Sequence, residues 1–460
     1  MKIIELLKSF FNKWKSSEVE TFIISKKPCP HCVNRGMIFL ILALGLNRKK
    51  KAQMKIINKK LILFIFFSIF FSTYSLSQTN KFVSTEGKSI VGLDGKKLLL
   101  KGINLGNWLV PEGYMFRFKK VSSPRMIYDF FNILIGEDEA NKFWDSFREN
   151  YITKNDIHFI KSLGFNSVRI PFNFRLLVTE YPHRELKGVG YQLLERVVKW
   201  CREENLYVIL DMHCAPGGQT GDNIDDSYGY PFLFESPESQ ELIVDIWKKL
   251  AETFKDESII IGYDLMNEPI AHYFDTEEIN PKLEPLFKKI TLAIREVDKN
   301  HIIFLGGAQW NSNFRIFSAP FDDKLVYTFH KYWTDPTKEV IQDYIDFENK
   351  YNVPIWMGES GENTNEWIND FRTMLEENEI GWCFWPYKKM ESSRGIVSIM
   401  QPDNYDLIIE FAEDNQFDYH SIRENRPDFK KVKSALFQYL ENCKLKNCVI
   451  NKDYIKALGL

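Results

Sequence analysis

The chain has 460 residues, 44% hydrophobic and 27% charged, with 60 Lys and Arg balanced by 62 Asp and Glu. That length and apolar content exclude a disordered chain or a stapled mini-domain, and seven cysteines make no disulfide scaffold. The charge balance gives no basic footprint for nucleic acid, so no nucleic-acid partner is expected.

The first 77 residues stand apart. Met54-Lys-Ile-Ile-Asn-Lys-Lys60 is a basic opening, Leu61–Phe71 an apolar run, and Ser75 and Ser77 are small residues suited to cleavage. Residues 54–77 are therefore expected to be a secretory signal peptide, and residues 1–53 an upstream read-through outside the mature protein. The apolar run is too short to span a bilayer, so no stable membrane insertion is expected, and a secreted, extracellular or periplasmic, location is. Cys29 and Cys32 superficially match a redox pair, but no βαβ pattern surrounds them. Segment 1–77 holds 14 Lys or Arg and three Glu; without it the body has 46 basic and 59 acidic residues, a net charge of −13. A polyanionic ligand is disfavoured and a neutral one fits.

Residues 78–442 read as one catalytic-sized domain. Lys81–Lys97 alternates around an Asp94-Gly95 turn, which predicts a hairpin. Eight short apolar runs then follow as predicted strands: Leu98–Asn104, Ser167–Pro171, Tyr207–His213, Ile260–Glu268, Ile302–Gly306, Leu325–His330, Ile355–Glu359 and Gly381–Trp385. Helical stripes lie between them, such as Ile243, Trp247, Leu250 and Phe254, or Leu286, Ile290, Ile294 and Val297. Continuously apolar strands alternating with helices predict an α/β fold, a (β/α)₈ TIM barrel with the hairpin at its floor. An open doubly wound sheet would carry a phosphate-binding glycine loop after its first strand, and none is present. Long insertions after strands one, three and eight (Val110–Tyr151, Cys214–Ser236, Pro386–Arg426) emerge on the face where barrel active sites are built. Residues 443–460 are expected to be a C-terminal surface tail, with Cys443 and Cys448 close enough for a local disulfide. Cys201, Cys214 and Cys383 read as buried small apolar groups.

Five strand ends carry polar groups that are costly to bury without purpose: Arg169; His213; Asn267 and Glu268; His330 and Tyr332; and Glu359. Closing the barrel turns all of them into one mouth. Glu268 and Glu359, each at a strand end, are the pair that matters most, because two carboxyls across a cleft suffice to break a glycosidic bond.

The set Arg169-Ile-Pro171, Asp211-Met-His213, Asn267-Glu268-Pro269, His330-Lys-Tyr332, Gly358-Glu359-Ser360 and Gly381-Trp-Cys-Phe-Trp385 resembles glycoside hydrolase family five, the cellulase family. Lys101-Gly-Ile-Asn-Leu-Gly-Asn-Trp-Leu109 is similar to the start of its β-glucanases, exo-β-1,3-glucanases among them. The resemblance implies a secreted, retaining glycosidase without metal or cofactor, acting as a monomer on a β-glucan polysaccharide or oligosaccharide. Glu359 would be the nucleophile, held ionised by Arg169 and Tyr332, and Glu268 the general acid and base. Asn267 would bind the sugar 2-hydroxyl, His213 and His330 other hydroxyls, and Trp385 would stack under the sugar, with Trp108, Trp310 and Trp333 at further subsites. Double displacement expects the carboxyls roughly 5–5.5 Å apart. An endo-β-glucanase (β-1,3 or β-1,4) is the leading expectation; exo-β-1,3-glucanase, β-1,6-glucanase or mannanase activity are the alternatives. A catalytically inactive sugar-binding barrel would have no need of both glutamates, and a metal-dependent hydrolase would need a His-x-His pair that is missing. The glycine-rich loop Ala215–Asp226 does not match a calcium loop and is expected to face substrate.

Overall fold

The computed structural model describes residues 81–179, 183–414 and 418–460; the expected leader and the Cys29–Cys32 pair lie outside them. None of the described helices is long and apolar enough to cross a membrane.

Eight strands, β1 (Lys101–Asn104), β2 (Ser167–Asn173), β3 (Tyr207–Cys214), β4 (Ile260–Asp264), β5 (Ile302–Gly306), β6 (Leu325–His330), β7 (Ile355–Gly361) and β8 (Gly381–Trp385), close into a barrel. Every neighbouring pair is parallel, and β8 returns to β1. Helices cover the outer face, so the strands are buried on both sides, which is why they read as unbroken apolar runs. Strands β5, β6 and β8 have the bounds expected from sequence. β4 is shorter than expected, ending at Asp264, because the chain leaves extended geometry before Glu268, whose φ is 45°.

The barrel interior is divided by height. Its lower part is apolar: Leu100, Ile209, Ile261, Ile302, Phe304, Val326, Trp356 and Cys383 form one cluster with Val83 and Ile90 of the N-terminal hairpin. The hairpin thus plugs the floor, as expected, but it makes two turns rather than one. Ser84–Glu86 pairs with Ser89–Val91 around Gly87, and the Asp94-Gly95 turn then brings Lys97 back against Val91.

Outside the strands, helix Pro237–Phe254 buries the predicted stripe of Ile243, Trp247, Leu250 and Phe254, and helix Thr276–Val297 buries Leu286, Ile290 and Ile294. Their starts are fixed by side-chain caps, Ser236 accepting from the Ser239 N–H and Asp275 from the Glu278 N–H; such caps contribute about 1 kcal/mol each.

The insertion after β1 forms helices Pro124–Ile135 and Glu137–Asn150, whose Phe131, Phe143, Trp144 and Phe147 pack in an aromatic cluster with Phe116; Tyr439, on helix Phe429–Asn442, joins it. Beneath it sits Lys388, fully buried. Its ammonium donates to Asp156 Oδ1 at 2.7 Å and to the carbonyls of Tyr151 at 2.7 Å and Cys443 at 2.9 Å. All three donors are used, the condition under which a buried charge is tolerated.

Two expectations fail at the C-terminus. Residues 443–460 are not a surface tail: Val449–Ile450 pairs with Val397–Ile399, and helix Lys452–Ala457 buries Tyr454 and Ile455, with Leu458 behind it. The apolar spacing of 454, 455 and 458 is a single helical turn, too short to stand out between lysines and asparagines. Nor do Cys443 and Cys448 form a disulfide; both are free thiols, Cys443 donating to the Leu440 carbonyl and Cys448 to that of Asn442. Cys201, Cys214 and Cys383 are buried as expected.

Candidate active site

At the C-terminal ends of the strands the barrel opens into a cleft of about 690 Å³. Glu268, His213, His330, Tyr332, Glu359 and Trp385 all line it, as do Trp310 and Trp333. Arg169 and Asn267 lie just beneath, out of solvent. One oxygen of Glu268 and one of Glu359 fall within 4.8 Å of each other, and a ring nitrogen of His330 lies within the same distance of both.

Arg169 organises the floor. Its Nη1 donates to Glu359 Oε2 at 3.0 Å and to Asn104 Oδ1 at 3.1 Å; its Nη2 reaches Asn267 Oδ1 at 2.9 Å and Asp211 Oδ1 at 3.0 Å; its Nε donates to Asp264 Oδ2 at 2.9 Å. Burial works against the guanidinium charge, but Asp211, Asp264 and Glu359 outweigh it and hold the pKa above its ordinary value. The other oxygen of Glu359 accepts from the Tyr332 hydroxyl at 2.8 Å.

His213 Nδ1 is 2.8 Å from Asp211 Oδ2, so this nitrogen carries the hydrogen and Nε2 accepts. Asn267 Nδ2 faces that Nε2 at 3.3 Å, its amide fixed because Arg169 holds the oxygen end. The His213 ring also lies parallel to the Trp385 indole, 5.5 Å between centroids and 9° between planes. The indole needs Gly106 beneath it, since a Cβ there would come within 2.5 Å of the ring. Trp385 Nε1 donates to the Tyr114 hydroxyl at 2.5 Å. Tyr114, Glu112 and Glu362 also line the cleft, with Lys389 on Glu362 at 2.7 Å.

The Glu268 backbone sits in the left-handed region, an arrangement costing a non-glycine residue roughly 1–2 kcal/mol. The glycine-rich loop pays part of this back: Gln219 Nε2 donates to the Asn267 carbonyl at 2.8 Å and Thr220 Oγ1 to that of Glu268 at 2.7 Å. Its next residues, Asp222, Asn223 and Ile224, line the cleft, as the sequence reading expected. The Glu268 carboxyl meets His330 Nδ1 at 2.7 Å.

Electrostatics separate the two glutamates. Burial lifts Glu268 to about 7, against the pull of Arg169 and with a small push from Asp222. Burial also raises Glu359, opposed by Arg169 and reinforced by Glu268. Hydrogen bonding decides which keeps the proton. Both Glu359 oxygens accept, one from a guanidinium, whereas Glu268 meets only a neutral imidazole, because burial pushes His330 down to about 3. These contacts favour the ionised form at Glu359 and the protonated form at Glu268. His213, down to about 4 by burial, is neutral too.

One expected substrate contact is not at the site. Trp108 is buried in the outer core, its Nε1 donating to the Arg148 carbonyl at 2.9 Å, because the left-handed turn at Asn107 points it away from the mouth. Conversely, sequence reasoning assigned no role to Asn104, Glu112, Tyr114, Asp211, Asp264, Asn311 or Glu362. For Asp264 and Asp211 a signal existed: each is a lone charge inside an otherwise apolar strand.

Residues 135–391 match the family described as Cellulase (glycosyl hydrolase family 5). The chain is 27% identical over 361 residues to a beta-xylosidase of Phanerodontia chrysosporium, covering 70% of this chain and 74% of that one. It is 27% identical over 305 residues to Endoglucanase C of Acetivibrio thermocellus, covering 53% and 86%. A rutinosidase structure from Aspergillus niger shares the fold, at 17% identity and a TM-score of 0.52, over 64% of this chain and 90% of that one. A family match across more than half the chain, over a barrel with two carboxyls facing one cleft, places this chain in glycosyl hydrolase family 5, the cellulase family, as a glycoside hydrolase.

Proposed function

We propose that the protein hydrolyses β-glucosidic bonds of a glucan, β-1,3 or β-1,4, within the chain and by double displacement with retention of configuration. The observation that carries this reading is the approach of Glu268 and Glu359 oxygens to within 4.8 Å. Retaining enzymes hold their carboxyls roughly 5–5.5 Å apart, whereas inverting ones need about 6.5–9.5 Å to admit a water. In the first step the Glu359 carboxylate attacks the anomeric carbon, the glycosidic bond breaks, and the Glu268 proton passes to the departing oxygen. In the second, Glu268, now a carboxylate, takes a proton from water, which displaces Glu359 and releases the sugar. In this reading Asn267, held by Arg169 and facing His213, binds the 2-hydroxyl, and Trp385 stacks under the ring.

Internal cleavage is supported by the aromatic side chains of Trp310 and Trp333, which line the cleft together with Trp385 and offer platforms for further sugar units. Exo action is the alternative reading, with Glu112, Tyr114 and Glu362 lining the cleft alongside Trp385. Secretion rests on the leader-like residues 54–77, and a monomer acting without metal is the accompanying expectation. The test is hydrolysis of laminarin, carboxymethylcellulose, pustulan and mannan, with product sizes followed in time and the product anomer read by proton NMR. Early appearance of mixed oligosaccharides in the β configuration is expected. An initial α anomer refutes double displacement, and release of single sugars alone refutes internal cleavage.

A further inference from the structure

Three consecutive non-glycine residues after β5 adopt left-handed backbone: Gln309, Trp310 and Asn311, with φ of 49°, 56° and 57°. This unusual run turns Trp310 into the cleft and delivers the fully buried Asn311 beneath it. β5 ends in Gly306 to admit the amide, since a Cβ there would meet Asn311 Oδ1 at 2.1 Å. Asn311 Nδ2 lies 3.1 Å from Nε2 of His330, and Nδ1 of the same ring lies 2.7 Å from Glu268 Oε1.

The hydrogen-bond sense along this relay is determined. An amide nitrogen only donates, so Nε2 of the neutral ring is the acceptor and Nδ1 bears the hydrogen. Turning the amide around would leave both N–H donors without a partner in place of the single acceptor, Oδ1, that is unpaired as it stands; buried donors are the rarer orphans. With Nδ1–H donating to Oε1 of Glu268, that oxygen is an acceptor, and the proton of the acid belongs on Oε2. The opposite tautomer would offer a lone pair at Nδ1 and draw the proton onto Oε1, against the histidine and away from substrate.

We propose that Asn311 is a positioning residue: by fixing His330 as the Nδ1–H tautomer it confines the transferable proton of Glu268 to Oε2, the oxygen free to meet the leaving group. This rests on Glu268 being the general acid. It separates from a merely structural role because proton donation matters in proportion to the basicity of the leaving group. An acidic phenol departs unaided, whereas an alcohol does not.

The experiment measures kcat/KM, which reports only the steps up to the glycosyl-enzyme, on 2,4-dinitrophenyl, phenyl and methyl β-glucosides with the full chain. Asn311→Asp keeps the side-chain shape and tolerates left-handed backbone, but its carboxylate, assayed above pH 8 to keep it ionised, can only accept, so Nε2 must carry hydrogen. Nδ1 then either turns acceptor or, in a charged ring, holds Glu268 as a carboxylate; both strip Oε2 of its proton. Asn311→Gly removes the amide without backbone strain. For Asn311→Asp the loss is expected to be within about threefold on the dinitrophenyl glucoside and about 10²-fold or more on the phenyl and methyl glucosides, the range set by general acid catalysis. Asn311→Gly is expected to show the same trend, weaker. Losses equal across the three substrates, or no loss, overturn the proposal. Glu268→Gln should show the same leaving-group dependence. If it does and the Asn311 variants do not, the relay alone is wrong. If Glu268→Gln shows none, the acid assignment falls and the relay with it.

Discussion

Replacing Arg169 by lysine tests how the cleft floor is held together. The guanidinium contacts five oxygens, donating to Asp264, Asn104, Glu359 and Asn267 at 2.9–3.1 Å and pairing with Asp211 at 3.0 Å. A lysine ammonium has three donors on one atom and a different reach, so at least two of these acceptors lose their partner. A lost contact to a charged group is worth about 1.5–3 kcal/mol, and a buried ion pair broken on one side costs about 3–5 kcal/mol. Part of this is recoverable, because burial, against the pull of Arg169, already raises Asp211 and Asp264 to about 7, and either can take a proton instead. The net expectation for Arg169→Lys is a loss of about 3–5 kcal/mol in urea unfolding above pH 7, shrinking at lower pH as the orphaned carboxyls protonate. Glu359 loses its charged donor as well and is less ionised, so kcat/KM should fall about 10²- to 10³-fold, equivalent to about 3–4 kcal/mol. A variant within about 1 kcal/mol of the parent, with most of its activity intact, would refute the claim that one cation organises these carboxyls.

Three further outcomes are expected. Since Glu268 must hold its proton to act and burial raises it to about 7, kcat/KM on an alkyl glucoside should be sustained up to that pH and then fall tenfold per unit; Glu268→Gln should abolish this limb, and a profile flat well above pH 7 would contradict the assignment. Trp108→Phe should leave KM unchanged while costing about 1 kcal/mol in thermal or urea unfolding, the worth of its bond to the Arg148 carbonyl, whereas Trp385→Ala should weaken substrate binding. Leu458→Ala should destabilise the whole domain by about 2–4 kcal/mol, a loss that a loosely attached tail would not show.

The barrel was legible in the sequence because parallel strands covered on both faces leave an unambiguous apolar signature, and three of the eight had their bounds correct. The polar residues that end those strands were legible for the same reason, as each interrupts an apolar run at a fixed height. What escaped were residues whose role depends on dihedral angles or distant partners. Nothing in Gly-Gly-Ala-Gln309-Trp310-Asn311 announces a run of left-handed residues, and nothing near Trp108 shows that Asn107 turns it outward. The Cys443–Cys448 spacing was suggestive, but spacing carries no side-chain direction, and each thiol points to a carbonyl. Glu112 was hidden in an insertion without periodicity.

The ammonium of Lys388 touches three parts of the chain far apart in sequence: the end of the first insertion at Tyr151, the helix start at Asp156, and the Cys443 carbonyl after the last long helix. Withdrawing Asp156 leaves a buried charge without its counter-ion, and withdrawing either carbonyl leaves a buried N–H unpaired, so the three are expected to open as one cooperative unit and to exchange their amide hydrogens at a common rate. For the engineer, this means that the first insertion and the C-terminal helices cannot be swapped between relatives piecemeal; they form a cassette with a single electrostatic lock.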